Sequence, residues 1–233
     1  MSDSDVSQQL DSISRKLITS TSLVHAPKKP QDTHLTATIA DLHVHPTIEA
    51  LLHILNHDLP SAHFLVRHMQ APPAVEGMLL HSILHRAEGD FNNARAWMHD
   101  VSDACEGYQP KYKAQGQKLD PEVFQKIGSN NNSQISGLSL VKFVYGDEDA
   151  GHLVDAVETF RKQKRGQRGR GEEEERDIEQ RIRGEAEKVL DWCRGKFGSG
   201  VWRDATGAWV RNSEEIGKIS ASMVSGGKGY RDF

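Results

Sequence analysis

The chain reads as an all-α protein built from antiparallel helical hairpins. Three observations carry this reading. Apolar residues recur at helical spacing, as in Leu80, Ile83, Leu84 and Ala87 at i, i+3, i+4 and i+7. No segment alternates apolar and polar residues as a half-buried strand would. The chain also repeats: a slide of 32 residues pairs Leu52 with Leu84, His53 with His85, Asp58 with Asp90 and Ala62 with Ala94. A period of that size marks stacked helical hairpins.

The elements follow in order. Residues 1–40 are rich in Ser, Thr, Asp and Gln, with Val6, Leu10, Ile13 and Leu17 at helical spacing. We expect one short helix in a mostly disordered segment, with a linker from Ala26 to Asp32 that holds Pro27 and Pro30. A helical domain is expected over 41–198. Pro46 suits the first turn of a helix carrying Ile48, Leu51, Leu52 and Leu55. Asp58 and Pro60 end that helix and start another with Ala62, Leu65, Val66 and Met69. Pro72 and Pro73 break the pattern, and a third helix runs to Gly89, which can take the left-handed conformation that ends a helix. Asp90 is placed to cap a fourth, whose buried side would hold Ala94, Trp97, Met98 and Val101.

The pattern is weaker further on. Residues 106–118 and the Asn/Ser-rich stretch 128–136 read as loops around a short helix at Pro121–Ile127. Asp149–Lys164 reads as a helix. Glu172–Phe197 reads as a long charged one with Ile178, Ile182, Val189 and Trp192 on one face and an acidic first turn that suits the helix dipole. Residues 199–233 are expected to be a flexible tail.

Composition excludes some functions. A net charge of −4 gives no pull toward nucleic acid or an anionic membrane. No apolar run approaches the ~20 residues that span a bilayer, and the start of the chain, acidic and polar from Met1 to Asp5, is unlike a signal peptide. Cys105 and Cys193 sit in no paired motif and read as free thiols, with Cys193, beside Trp192 on a helix face, packed rather than reactive. A cytoplasmic location, or a nuclear one, is expected, and so is a protein or small-molecule ligand as partner.

Histidine usage points to a site. Nine of the twelve histidines lie between His43 and His99. His81, His85 and Glu88 fall at i, i+4 and i+7 beside the apolar stripe of the third helix, and Glu49 and His53 hold the equivalent places one repeat earlier. Lining one groove, these five would form a ligand-binding patch for a non-enzymatic interaction protein. His81, His85 and Glu88 are also the donor types for zinc or iron, so a small metal-dependent enzyme of hydrolase or oxygenase type is the alternative. No other cofactor is suggested.

Three further motifs stand out in the chain. Asp41-Leu42-His43-Val44-His45 resembles the first metal motif of amidohydrolase-type and polymerase-and-histidinol-phosphatase-type hydrolases, which would make His43 and His45 ligands at a strand end. The basic run Arg161–Arg170 is followed at once by Glu172–Glu175, which largely neutralises it, so a solvated inter-helix loop is expected rather than an RNA contact or nuclear signal. Ser225–Gly229 lacks the strand and helix of a phosphate loop.

The Leu84–Asp90 segment (Leu-His-Arg-Ala-Glu-Gly-Asp), Asn93-Ala94 and Trp97 resemble a family of fungal proteins with more distant bacterial relatives. His45-Pro46 and Trp192–Gly198 are similar too. The resemblance covers about half the chain, mostly 45–105, and implies a fold rather than an activity. The spacing of Gly89 and Ala94 is similar to the turn of tetratricopeptide repeats, but His57 stands where the earlier copy would need the glycine.

Overall fold

A computed structural model describes residues 2–111, 116–128, 130, 135, 137–163 and 170–210. Among these the protein is all-α, and the only extended pairing is a single bridge between Tyr108 and Lys118. The helices are α1 (Asp3–Ser20), α2 (Thr33–Asp41), α3 (Pro46–Leu55), α4 (Leu59–Val66), α5 (Val75–Glu88), α6 (Phe91–Cys105), α7 (Pro121–Gly128), α8 (Leu140–Tyr145), α9 (His152–Lys162) and α10 (Arg170–Phe197). No helix among the described residues is long and apolar enough to cross a membrane.

The repeat is real at the level of the backbone. In the second pair, α5 ends at Gly89 with φ 97°, the Asp90 N–H donates to the His85 carbonyl (2.8 Å), and the Gly89 N–H donates to Arg86. In the first pair, His57 takes φ 61°, the Asp58 N–H donates to the His53 carbonyl (2.8 Å), and the His57 N–H donates to Ile54. Both are the two-bond helix ending in which a left-handed residue turns the chain back on itself. The next residue then caps the following helix in each copy: the Asp58 carboxylate accepts from Ser61 N–H and the Asp90 carboxylate from Asn93 N–H. A histidine therefore does the work of the glycine, held by a contact of its ring Nε2 with the Ser22 carbonyl (3.2 Å).

The helix α5 is the centre of the molecule. Every residue from Val75 to Ala87 is buried, as expected of a helix enclosed by others rather than lying on a surface. It packs against α3, α4 and α6, and two polar links tie it to α10. Arg86 and Glu185, 1% and 4% exposed, form a bidentate pair, with the Tyr145 hydroxyl donating to the same carboxylate (2.6 Å). Glu76 accepts from the Trp192 indole and from Lys196, both at 2.8 Å. Close approach of the α4–α5 connection to α5 depends on Gly77, where a Cβ would stand 2.2 Å from the Met69 Cβ.

Two expectations about the termini change. The helix α1 is longer than expected and docked: Ser2 and Asp5 form a reciprocal capping box, Val6, Leu10, Ile13 and Leu17 are buried, and α1 packs on α3 and α10. The segment 1–40 is thus largely part of the fold, because its apolar stripe packs on α3 and α10, where Arg194 pairs with Asp11 (2.7 Å). At the other end, the Trp202 N–H donates to the His43 carbonyl (2.7 Å) and the Val210 N–H to His68 (2.8 Å), so 199–210 packs back on the core. Residues 211–233, with Ser225–Gly229, lie outside the described residues.

Candidate functional site

The C-terminal end of α5 and the middle of α4 meet at a cluster of imidazoles around one carboxylate. His63, on α4, donates from Nε2 to Glu88 Oε1 at 2.9 Å. His85 Nδ1 lies 3.2 Å from Glu88 Oε2. One ligand-type atom from each of His63, His85 and Glu88 lies within 4.8 Å of the other two. His85 is buried, and His63 and Glu88 are partly exposed, so the cluster opens on one side.

The rings are packed in order. His81 stacks on Trp97 (centroids 4.3 Å apart, 7° between planes) and lies parallel to His85 (5.5 Å, 6°). His63 meets both edge-on, at 5.9 Å and 5.3 Å. Trp97 is half-buried rather than a core residue, because its ring covers His81 instead of entering the apolar centre.

Electrostatics favour an ionised carboxylate beside a neutral ring. Burial would raise the Glu88 carboxyl, but the His63 hydrogen bond and the adjacent His85 imidazole outweigh it and hold Glu88 at about 2. Burial drives His81 well below the usual histidine range, reinforced by His85, His63 and Arg67 and opposed by Glu88. The His81 Nδ1 is buried without a hydrogen-bond partner among the described residues.

The sequence-based set is thus partly regrouped. His81, His85 and Glu88 do come together, but the three groups whose donor atoms converge are His63, His85 and Glu88, with His81 stacked alongside. His63 was missed because it lies on the second helix of the first pair, whereas the repeat logic looked along first helices only; the signal available was its place next to core residue Ala62. Glu49 and His53 form a separate group: His53 is buried with Nδ1 3.2 Å from Asp58 Oδ2 and Nε2 3.7 Å from Glu49. Position 56, the repeat equivalent of Glu88, is Asn56, fully buried and tied to the Asp32 backbone (2.9 and 3.1 Å). The second copy alone therefore carries the carboxylate. The expected open groove is replaced by a half-buried corner, since α5 is covered on nearly all sides.

The remaining candidates have structural roles. His45 caps α3 by accepting from Thr47 N–H and stacks flat on Phe197 (3.6 Å), and burial with nearby Lys196 pushes it down to about 3. His43 is exposed, in a left-handed turn (φ 48°). The described residues contain no strand on which the hydrolase motif would sit. In the basic run, Arg161 is no surface cation: it donates to the carbonyls of Val24 (2.5 Å), Leu23 (3.1 Å) and Ala87 (3.2 Å), bracing the end of α5. Burial, then Arg86, lowers it to about 10. Lys164–Gly169 lie outside the described residues. Burial pushes the thiols of Cys105 and Cys193 up to about 11 and about 12, as expected for packed cysteines.

No family model matches the chain, and no similar curated protein or solved structure was found.

Proposed function

We propose that the protein is a non-enzymatic, tetratricopeptide-like helical binding module whose ligand site is the corner formed by His63, His85 and Glu88. The observation that supports it is a carboxylate held between two imidazoles at the partly open C-terminal end of α5. A core contact has no use for such a group, since an apolar residue would pack there without desolvation cost. Glu88 offers negative charge and the two rings offer nitrogen donors, so the fitting ligand brings a positive charge, either a small cation or a basic group on a partner protein. Melting curves with spermidine, arginine amide and divalent cations would test this in wild type and Glu88→Gln. At least one probe is expected to raise the wild-type midpoint and to lose that effect in the variant. Probes that leave wild type unchanged, or that act equally on both, would overturn the reading.

The donor set favours one second reading, a metal-dependent enzyme of hydrolase or oxygenase type, because two histidines and a carboxylate leave coordination positions open to substrate. That reading also requires a pocket enclosing the substrate next to the site.

A further inference from the structure

We infer that the cation taken at this corner is a single transition-metal ion of the zinc or iron class, held by His63, His85 and Glu88. This deepens the binding-module reading and rests on it. The geometry supports it in three ways. Bonds of about 2.0–2.2 Å at tetrahedral or octahedral angles place ligand atoms roughly 3.0–3.4 Å apart. His63 Nε2 lies 2.9 Å from Glu88 Oε1 and His85 Nδ1 lies 3.2 Å from Glu88 Oε2, so the two imidazoles approach different oxygens of one carboxylate, and one ligand atom from each of the three residues lies within 4.8 Å of the other two. Next, the ligands come from two helices, an imidazole and a carboxylate three residues apart on α5 and an imidazole from the facing α4. Helical bundles build inward metal sites in this way. Finally, the surroundings hold one ligand in place: His85 lies in a stack with His81 and Trp97.

Two nitrogens and one oxygen select against magnesium and calcium, which take oxygen shells. A hydrogen-bonded His–Glu–His bridge explains the pairwise distances alone. It returns one hydrogen bond and one close contact for two imidazoles and a carboxylate, however, whereas a metal ion makes a bond to each of the three converging groups. Three protein ligands leave one or more positions on the open side, where a water or a donor from a partner would complete the shell.

The test is titration of the full-length untagged chain with Zn2+ or Mg2+ by calorimetry, with Co2+ absorption spectra as an independent readout on wild type. One zinc per chain is expected, with magnesium inert, and visible Co2+ bands of a low-coordinate site displaced by zinc. His63→Gln and His85→Gln should each weaken zinc at least tenfold, and His53→Gln, which changes a histidine of the other group, should leave affinity within twofold. Helical circular dichroism confirms that each variant is folded. If a variant does not fold, the wild-type stoichiometry and cobalt bands decide. Zinc binding that survives His63→Gln, or is weakened equally by His53→Gln, overturns the assignment, as does wild type that ignores zinc. In that last case a response to spermidine or arginine amide that needs Glu88 leaves the module reading standing, and no response to either class removes both.

Discussion

Replacing two helical glycines by alanine should move stability in opposite directions. Helix propensity alone treats Gly77 and Gly184 alike: each lies inside a helix, and alanine there is favoured by about 0.5–1 kcal/mol. Their surroundings differ. A Cβ at Gly184 meets nothing within 4 Å, so Gly184→Ala should realise the full gain of about 0.5–1 kcal/mol. A Cβ at Gly77 would stand 2.2 Å from the Met69 Cβ and 2.5 Å from the Met69 carbonyl oxygen. Neither is the tip of a flexible side chain, and Met69 is fully buried, so the connection between α4 and α5 must move away from α5 by more than an ångström. Overpacking of this kind costs roughly 3 kcal/mol at the upper end of its usual range, and about 1 kcal/mol of propensity offsets it, leaving a net loss of about 2 kcal/mol. Urea unfolding at pH 7.5, with the slope checked for constancy, reads both changes as shifts of the midpoint. A Gly77→Ala protein as stable as wild type would refute the close approach of Met69 to α5 described above.

Other expectations follow from particular contacts. Leu10→Ala should cost about 2–5 kcal/mol in the same assay, since Leu10 is fully buried; an unchanged midpoint would mean that α1 does not dock. Glu185→Ala strands the buried Arg86 and should cost about 3–5 kcal/mol, while Arg86→Met combined with Glu185→Leu should recover most of that loss; a double variant no better than the single one would show that the pair does more than satisfy itself. Stability should fall with pH in two windows. His81 is depressed when folded, so its contribution is complete above pH 6.5 and is lost as pH drops and the unfolded chain takes up the proton. The loss of stability between pH 7.5 and 5.5 should therefore be smaller in His81→Gln by about 1 kcal/mol; identical pH dependence would contradict a buried neutral His81. Glu88 is depressed from 4.5 to about 2, so its contribution is present above pH 4.5 and is lost between there and pH 2, a drop that Glu88→Gln should lack.

Much of this molecule is legible one helix at a time. The stripes that place α3 to α6 and α10, and the caps at Asp58 and Asp90, involve residues three or four positions apart, so the chain's local chemistry specifies them. The repeat was legible too, although His57 in place of glycine concealed that both hairpins end alike; the backbone conformation was kept while the residue type changed. His81, His85 and Glu88 were recognisable as a group because they share one helix.

What the linear sequence left open involves partners far apart along it. Whether the stripe of α1 is covered depends on α10, and whether Arg161 is a surface charge or a brace depends on the carbonyls of Leu23, Val24 and Ala87, in other parts of the chain. The substitution of His63 for His81 as the third converging donor depends on how α4 packs on α5, which neither helix specifies by itself. Periodicity says which face of a helix is turned inward. It carries no information about which other helix meets that face, because burial by packing is non-directional and is settled only when all the faces compete at once. The sequence by itself therefore determined helices, caps and a histidine-bearing stripe, and the tertiary structure decided which histidines share Glu88.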